Sequence, residues 1–221
     1  MEDWLNKVTY GNLSKYHLDI LKRKCLADDV IPILDKTYGS QLDFPLNNSE
    51  SVKQELNEMV EKVRSIFDES NAEHLARYKR YDRNIMQSIL SAFTVKGMDV
   101  AEIYNSINED ISPTIIKLKQ KYQRPRPFQL AQYYKLKLFP YDTFSGHSPS
   151  YPSGHTIQAY VILNIIGNKY PQSYGFCKQF ITDIADSRVY LGFHYPSDND
   201  ASYLIGQEIL KLKSITDKYK I

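Results

Sequence analysis

An all-α protein is what the sequence predicts, on three observations. Apolar residues recur at helical spacing in segment after segment. No alternation of apolar and polar residues lasts long enough to make a strand. Glycine and proline punctuate the gaps between the periodic stretches. At 221 residues, with 42% hydrophobic and 24% charged side chains, the chain suits one domain with a sizeable core.

In chain order, 13–26 is the first helical segment, with Leu13, Leu18, Leu21 and Cys25 spaced among charges. Residues 31–48 read as irregular, because Pro32, Gly39 and Pro45 interrupt them, and Asn47-Asn48-Ser49 offers a helix cap. From Glu50, the series Val52, Leu56, Met59, Val60, Val63 and Phe67 makes one apolar face on a long amphipathic helix. A further helix is expected over 72–95, broken by Gly97, and a shorter one over 99–108. Ser112-Pro113 has the form of a helix start, cap then proline in the first turn, and that helix stops near Tyr122 ahead of Pro125 and Pro127. A loop rich in Ser, Pro and Gly runs over 139–154, followed by helices over 156–169, 172–187 and about 197–213.

Composition narrows the function. A net charge of +2 gives no electrostatic case for nucleic acid or an anionic surface. Cys25 and Cys177 cannot make a disulfide framework. The longest apolar run, about 159–166, is well short of the roughly 20 residues that span a bilayer, so no integral membrane association is expected. The start lacks a basic-then-apolar signal layout, which points to a cytoplasmic protein.

Three clusters carry chemistry. The first is the basic stretch 117–128. Helix geometry puts Lys119 on the stripe of Ile115, Leu118 and Tyr122, facing inward, whereas Lys117 and Lys121 share the polar side. Arg126 follows after proline has ended the helix, free to turn back toward the same point. The second is Pro152-Ser153-Gly154-His155, directly ahead of an apolar helix. Glycine lets backbone approach a ligand, serine adds a hydroxyl, and a helix N-terminus favours an anion. Ser145-Gly146-His147 repeats the tripeptide without the proline or the helix. The third is 187–198, where Gly192 and Pro196 break the helix so that Arg188 and His194 can converge. Asp198 there has two readings, a cap of the final helix or the acceptor of the His194 Nδ1–H.

Lys119…Arg126-Pro127, Pro152-Ser153-Gly154-His155 and Ser187-Arg188…His194…Asp198, in that order, resemble the signature of the type 2 phosphatidic acid phosphatase superfamily, which includes the class A bacterial acid phosphatases and the vanadium haloperoxidases. Lys117…Arg124-Pro125 fits the first block equally well by spacing; the inward face of Lys119 and the Phe128 after the arginine-proline pair favour the later register. The soluble acid phosphatase branch is the nearer likeness. Two positions depart from the family's pattern: Asp186 stands where glycine often precedes the Ser-Arg pair, and Asn199-Asp200 is more polar than in the lipid-directed members.

The resemblance implies a compact helical bundle, one domain over 1–221 with its motifs in 113–213, and a phosphoric monoester hydrolase acting on small soluble phosphate esters. His194, oriented by Asp198, would be the nucleophile that becomes phosphohistidine, and His155 the general acid and then base. Lys119, Arg126, Ser153, Gly154 and Arg188 would hold the phosphate. No cofactor or metal is implied, and vanadate should inhibit as a phosphate mimic. A peripheral lipid phosphatase and a vanadium-dependent haloperoxidase are the alternatives, the latter usually a much longer chain. Self-association is an expectation carried over from the related acid phosphatases. The N-terminal half has a structural role by default, and the run 77–83 (Arg77 to Arg83) reads as a solvated face or an oligomer contact.

Overall fold

A computed structural model describes residues 3–23, 26–94, 97–143 and 146–221; Cys25, Val95 and Ser145 lie outside them. The described residues are helical with no strand among them, so the molecule is all-α. After a short 3-10 turn at Asp3–Lys7 comes α1 (Lys15–Leu21), whose Ser14 cap accepts the His17 backbone N–H. Helix α2 (Ala27–Thr37) runs through Pro32, where an irregular stretch was expected. A proline removes one hydrogen bond and strains one turn, and here Val30 and Leu34 on either side are fully buried in the main core. Burial of the flanking turns offsets the local cost.

Helix α3 (Glu50–Ile66) starts at Ser49, whose side chain accepts the Val52 N–H at 3.2 Å, and it buries Val52, Leu56, Met59, Val63 and Ile66. The stretch expected as one helix over 72–95 is two: α4 (Ala72–Arg83) and α5 (Ile85–Thr94). Asn84 divides them with extended backbone, and its amide oxygen accepts the Gln87 N–H at 2.9 Å, so it caps a new helix. Conversely, the two expected segments over 99–122 are one continuous helix, α6 (Ala101–Tyr122), with Pro113 inside it. Ile107, Ile111, Ile115 and Leu118 bury both sides of the proline in one core, and that shared burial keeps the helix unbroken. Gln123, with φ of 51°, ends it.

Helix α7 (Pro127–Ala131) is a single turn begun by proline at its first position. The centre of the molecule is α8 (Gly154–Lys169), with Ile157, Ala159, Val161, Ile162, Leu163, Ile165 and Ile166 all buried. A helix apolar on every side belongs inside a bundle; α6, α9 (Tyr174–Tyr190) and α10 (Pro196–Lys211) surround it. Helix α10 comes close because Gly206 has no side chain: a Cβ there would lie 2.6 Å from the Tyr160 ring. The last helix, α11 (Lys213–Tyr219), buries Ile215. A smaller apolar cluster of Leu5, Val52, Leu56, Met59, Leu130 and Tyr195 joins α3 to α7 and the start of α10. Among the described residues, no helix is long and apolar enough to cross a membrane.

Candidate active site

The three sequence clusters meet at one end of α8. Helix α6 delivers Lys119 from its inner face, buried, with Nζ donating to the Pro149 carbonyl at 2.5 Å and the Ser150 carbonyl at 3.3 Å. Lys117 lies on the outer side, paired with Asp28 at 2.5 Å, and Lys121 with Asp35 at 2.9 Å. Beyond the helix, Arg126 turns inward: Nε donates to the Ser148 carbonyl at 2.7 Å, Nη1 to the Phe193 carbonyl at 2.9 Å, and Nη2 to the Ser148 hydroxyl at 3.2 Å. The same Nη1 lies 3.0 Å from His194 Nε2. Arg124 is equally buried but occupies the layer behind, bonded to Asp198, Ser197 and Glu55 and lying 3.8 Å over the Tyr195 ring.

At the start of α8, Gly154 allows close approach to α6; a Cβ there would meet Ile115 at 3.2 Å and the Lys119 side chain at 3.8 Å. The Ser153 backbone N–H donates to the Ser202 hydroxyl at 2.9 Å. Its hydroxyl lies 2.8 Å from that of Thr156, which donates to Asn199 Oδ1 at 2.7 Å, while Asn199 Nδ2 donates to the Ala185 carbonyl. Ser153, Thr156 and Asn199 thus form one buried hydrogen-bonded chain that ends on the Ala185 carbonyl.

The turn after α9 sets the third cluster. Gly192 has φ of 81°, a left-handed conformation that favours glycine, and a Cβ there would stand 3.0 Å from Pro140 Cα. The N–H groups of both Phe193 and His194 fold back to the Arg188 carbonyl, at 3.0 and 3.2 Å. His194 Nδ1 then meets Asp198 Oδ2 at 3.1 Å, and that same oxygen accepts the Tyr195 N–H at 3.1 Å. Asp198 is therefore both helix cap and histidine partner; the two readings are compatible. Its other oxygen takes Arg124 Nη1 at 2.6 Å. Arg188, fully buried, donates from Nη1 to Asp82 at 2.8 Å, whereas its Nε and Nη2 have no hydrogen-bond acceptor among the described residues. Donors left this way inside a protein call for a partner.

Lys119, Arg126, Gly154, His155 and His194 line a cavity of about 280 Å³, with Ser148. Ser153, Arg188 and Asp198 are not among the residues that line it. His147 is exposed and belongs to a neighbouring pocket beside Tyr141 and Phe193. A groove of about 400 Å³ between α4, α5 and α9 carries Arg77, Arg80 and Arg83 but none of the clustered residues.

Basic side chains dominate the electrostatics of the cavity. Burial, and next Arg126, hold Lys119 well below the usual lysine range, with Asp198 opposing. Burial and Arg188 bring Arg126 down to about 10, still cationic at neutral pH. Burial first, then Arg126, Lys119 and Arg188, push His194 well below the ordinary histidine value, so it is neutral. With Nδ1–H given to Asp198, its Nε2 lone pair faces the cavity. His155 is pushed down by burial and Arg188, with Asp82 opposing. A bound dianion would reverse the cationic part of both shifts.

Two carboxylates of this arrangement come from the N-terminal half, which had no chemical role in the sequence reading. Asp82, within the charged run 77–83, is buried and holds Arg188. Glu55 on α3 accepts from Arg124 with one oxygen and from the Ser197 N–H with the other, at 3.1 and 2.8 Å. Helical spacing was a usable signal: Asp82 follows the buried Tyr78 by four residues on α4, and Glu55 falls on the stripe of Val52 and Met59. A charge on a core stripe calls for a partner.

None of the curated proteins compared with the chain matches it. A family model does: PAP2 superfamily, over residues 101–213, from the first turn of α6 to the start of α11. That match takes in all three converging clusters and a little over half of the 221 residues, and the chain belongs to the PAP2 superfamily.

Proposed function

We propose that the protein is a phosphomonoesterase of the acid phosphatase type that works through a phosphohistidine. Membership of the PAP2 superfamily supports phosphatase chemistry in general. The observation that carries the finer reading is His194, with Nδ1 held by Asp198 and Nε2 facing the cavity beside a set of buried cations. A histidine so oriented is a nucleophile, and the cations stabilise charge on the phosphoryl oxygens.

A bound phosphate ester accepts from Lys119, from the unsatisfied donors of Arg188, and from Arg126. In taking the Arg126 Nη1–H it relieves His194 Nε2 of that contact and frees the lone pair to attack phosphorus in line. The N–P bond forms as the ester P–O bond breaks, and His155, protonated in the dianion's field, gives its proton to the departing alkoxide. His155 then takes a proton from water as that water attacks phosphorus, the N–P bond breaks, and inorganic phosphate leaves. The Gly154 N–H supports the oxyanion from the α8 terminus.

The substrate is read as a small soluble ester, because the cavity is compact and has several polar groups on its wall. Hydrolysis of p-nitrophenyl phosphate over about pH 4–8, in EDTA with and without vanadate, tests the class. We expect turnover that survives EDTA and is blocked by vanadate, and a loss of roughly 10³-fold or more in a folded H194A variant. Full activity in that variant would sink the mechanism.

A further inference from the structure

We propose that the cavity contains a second, hydrogen-bonding subsite for the leaving group, built by α1, α6 and α8, and that it takes a small hydroxyl-bearing alcohol such as that of a polyol or sugar phosphate. The inference rests on the phosphatase reading and names its substrate class. It starts from the continuation of the cavity beyond Lys119 and His155. On α6 the stripe Asn108, Ser112, Ile115 and Lys119 runs at intervals of four, three and four residues, so all four share one face. Ser112 stands about 10 Å along the axis from Lys119, the reach of a short carbon chain with its phosphate at the lysine end.

The far wall is polar and already organised. Asn108 Oδ1 accepts both the Ser112 hydroxyl, at 2.9 Å, and Gln158 Nε2, at 2.7 Å. That spends the asparagine's acceptor and fixes the orientation of both amides. The Asn108 N–H donors and the Gln158 carbonyl oxygen are then what the wall offers a ligand. Facing them across the cavity, α1 contributes Tyr16 and His17, their rings edge to face with centroids 5.4 Å apart. His17 Nδ1 is engaged by the Ser14 hydroxyl at 2.8 Å, which leaves Nε2 for the cavity side.

A wall offering donors and acceptors together matches hydroxyl groups, which give one hydrogen and accept others. It does not match hydrocarbon. Ile20, Ile115 and Ile116 are the apolar members, and about 280 Å³ must hold the phosphate as well as the alcohol. Lipid tails would find no apolar trough in it.

The test compares the whole protein with N108L and H17A, using sorbitol 6-phosphate, p-nitrophenyl phosphate and lysophosphatidate as substrates and inorganic phosphate as inhibitor. Expected is a roughly 10-fold fall in each variant in the ratio of kcat/KM for the polyol ester to that for the aryl ester. Inorganic phosphate, which has no leaving group, should inhibit all three proteins alike. His17 is on a short outer helix, so H17A keeps the test standing if N108L fails to fold by circular dichroism. An unchanged ratio in the folded variants, or faster turnover of lysophosphatidate than of the polyol ester by the wild type, overturns the subsite while leaving the hydrolase intact. If the wild type cleaves none of the esters, or H194A cleaves them as well as the wild type, the phosphohistidine hydrolase falls, and the subsite with it.

Discussion

Asp82 shows how much one buried charge can decide. Arg188 has its Nη1 anchored on Asp82, with both side chains fully buried, and under the proposed mechanism that anchor is what directs Nε and Nη2 at a phosphate. Replacing Asp82 by Asn leaves the guanidinium without its counter-charge, and losing one member of a buried ion pair costs about 3–5 kcal/mol. A purely structural anchor would stop there. Asp82 also holds the His155 value up against the surrounding cations, so in D82N the His155 pKa should drop further. The alkaline limb of the kcat/KM profile should then move to lower pH, since the general acid loses its proton sooner; a profile unmoved from that of the wild type would make Asp82 an anchor only. At this scale the sequence was legible where residue type and spacing combine, as in Lys119 against Lys117, whose opposite faces follow from helix geometry alone. Asp82 was not legible in the same way, because six charged or tyrosine neighbours hid the fact that its position falls on a core stripe.

Elements were legible by their periodicity and misjudged at their joints. Pro32 was expected to interrupt the chain and Pro113 to begin a helix, yet both lie inside one, because the turns on either side of each are buried in the same core. Asn84, with no proline or glycine beside it, does break one, through its side-chain cap. A breaker's local cost is small against the burial of a whole helix face, so tertiary packing settles the outcome. The Gly192 turn is the joint that matters for chemistry, since it carries the chain from α9 to His194. An alanine there must adopt the left-handed conformation and press on Pro140, which should cost about 1–3 kcal/mol. Because His194 hangs from this turn, kcat/KM for p-nitrophenyl phosphate should fall further than the unfolded fraction of G192A accounts for. Thermal unfolding and kinetics on the same sample would check it; activity that tracks the folded fraction alone would mean that the turn relaxes without moving the histidine.

Over the whole molecule, the site concentrates four cations, Lys119, Arg124, Arg126 and Arg188, against three carboxylates, Glu55, Asp82 and Asp198, in a protein whose net charge is only +2. The two neutral histidines in their midst make stability depend on pH. His155 and His194 are held well below the unfolded value of about 6.5. Below that pH the unfolded chain takes up protons that the folded site refuses, so stability is full above it and is lost as the pH falls. Each histidine contributes about 1.4 kcal/mol per pH unit until its folded pKa is reached. Unfolding temperatures measured from pH 7.5 to 5 should therefore fall, and fall less steeply in a variant with both histidines replaced by glutamine. Equal slopes in the two proteins would mean that the histidines are not held neutral.

Glu55 and Asp82 lie ahead of the segment in which the family's pattern is written, yet they grip Arg124 and Arg188 from α3 and α4. The matched segment thus supplies Lys119, Arg126, His155 and His194, while two of its buried arginines are held from outside it. Under the proposed mechanism, a substitution that loosens α3 or α4 would be met at the bench as an enzyme with poor phosphate affinity, long before it was met as a protein that fails to fold.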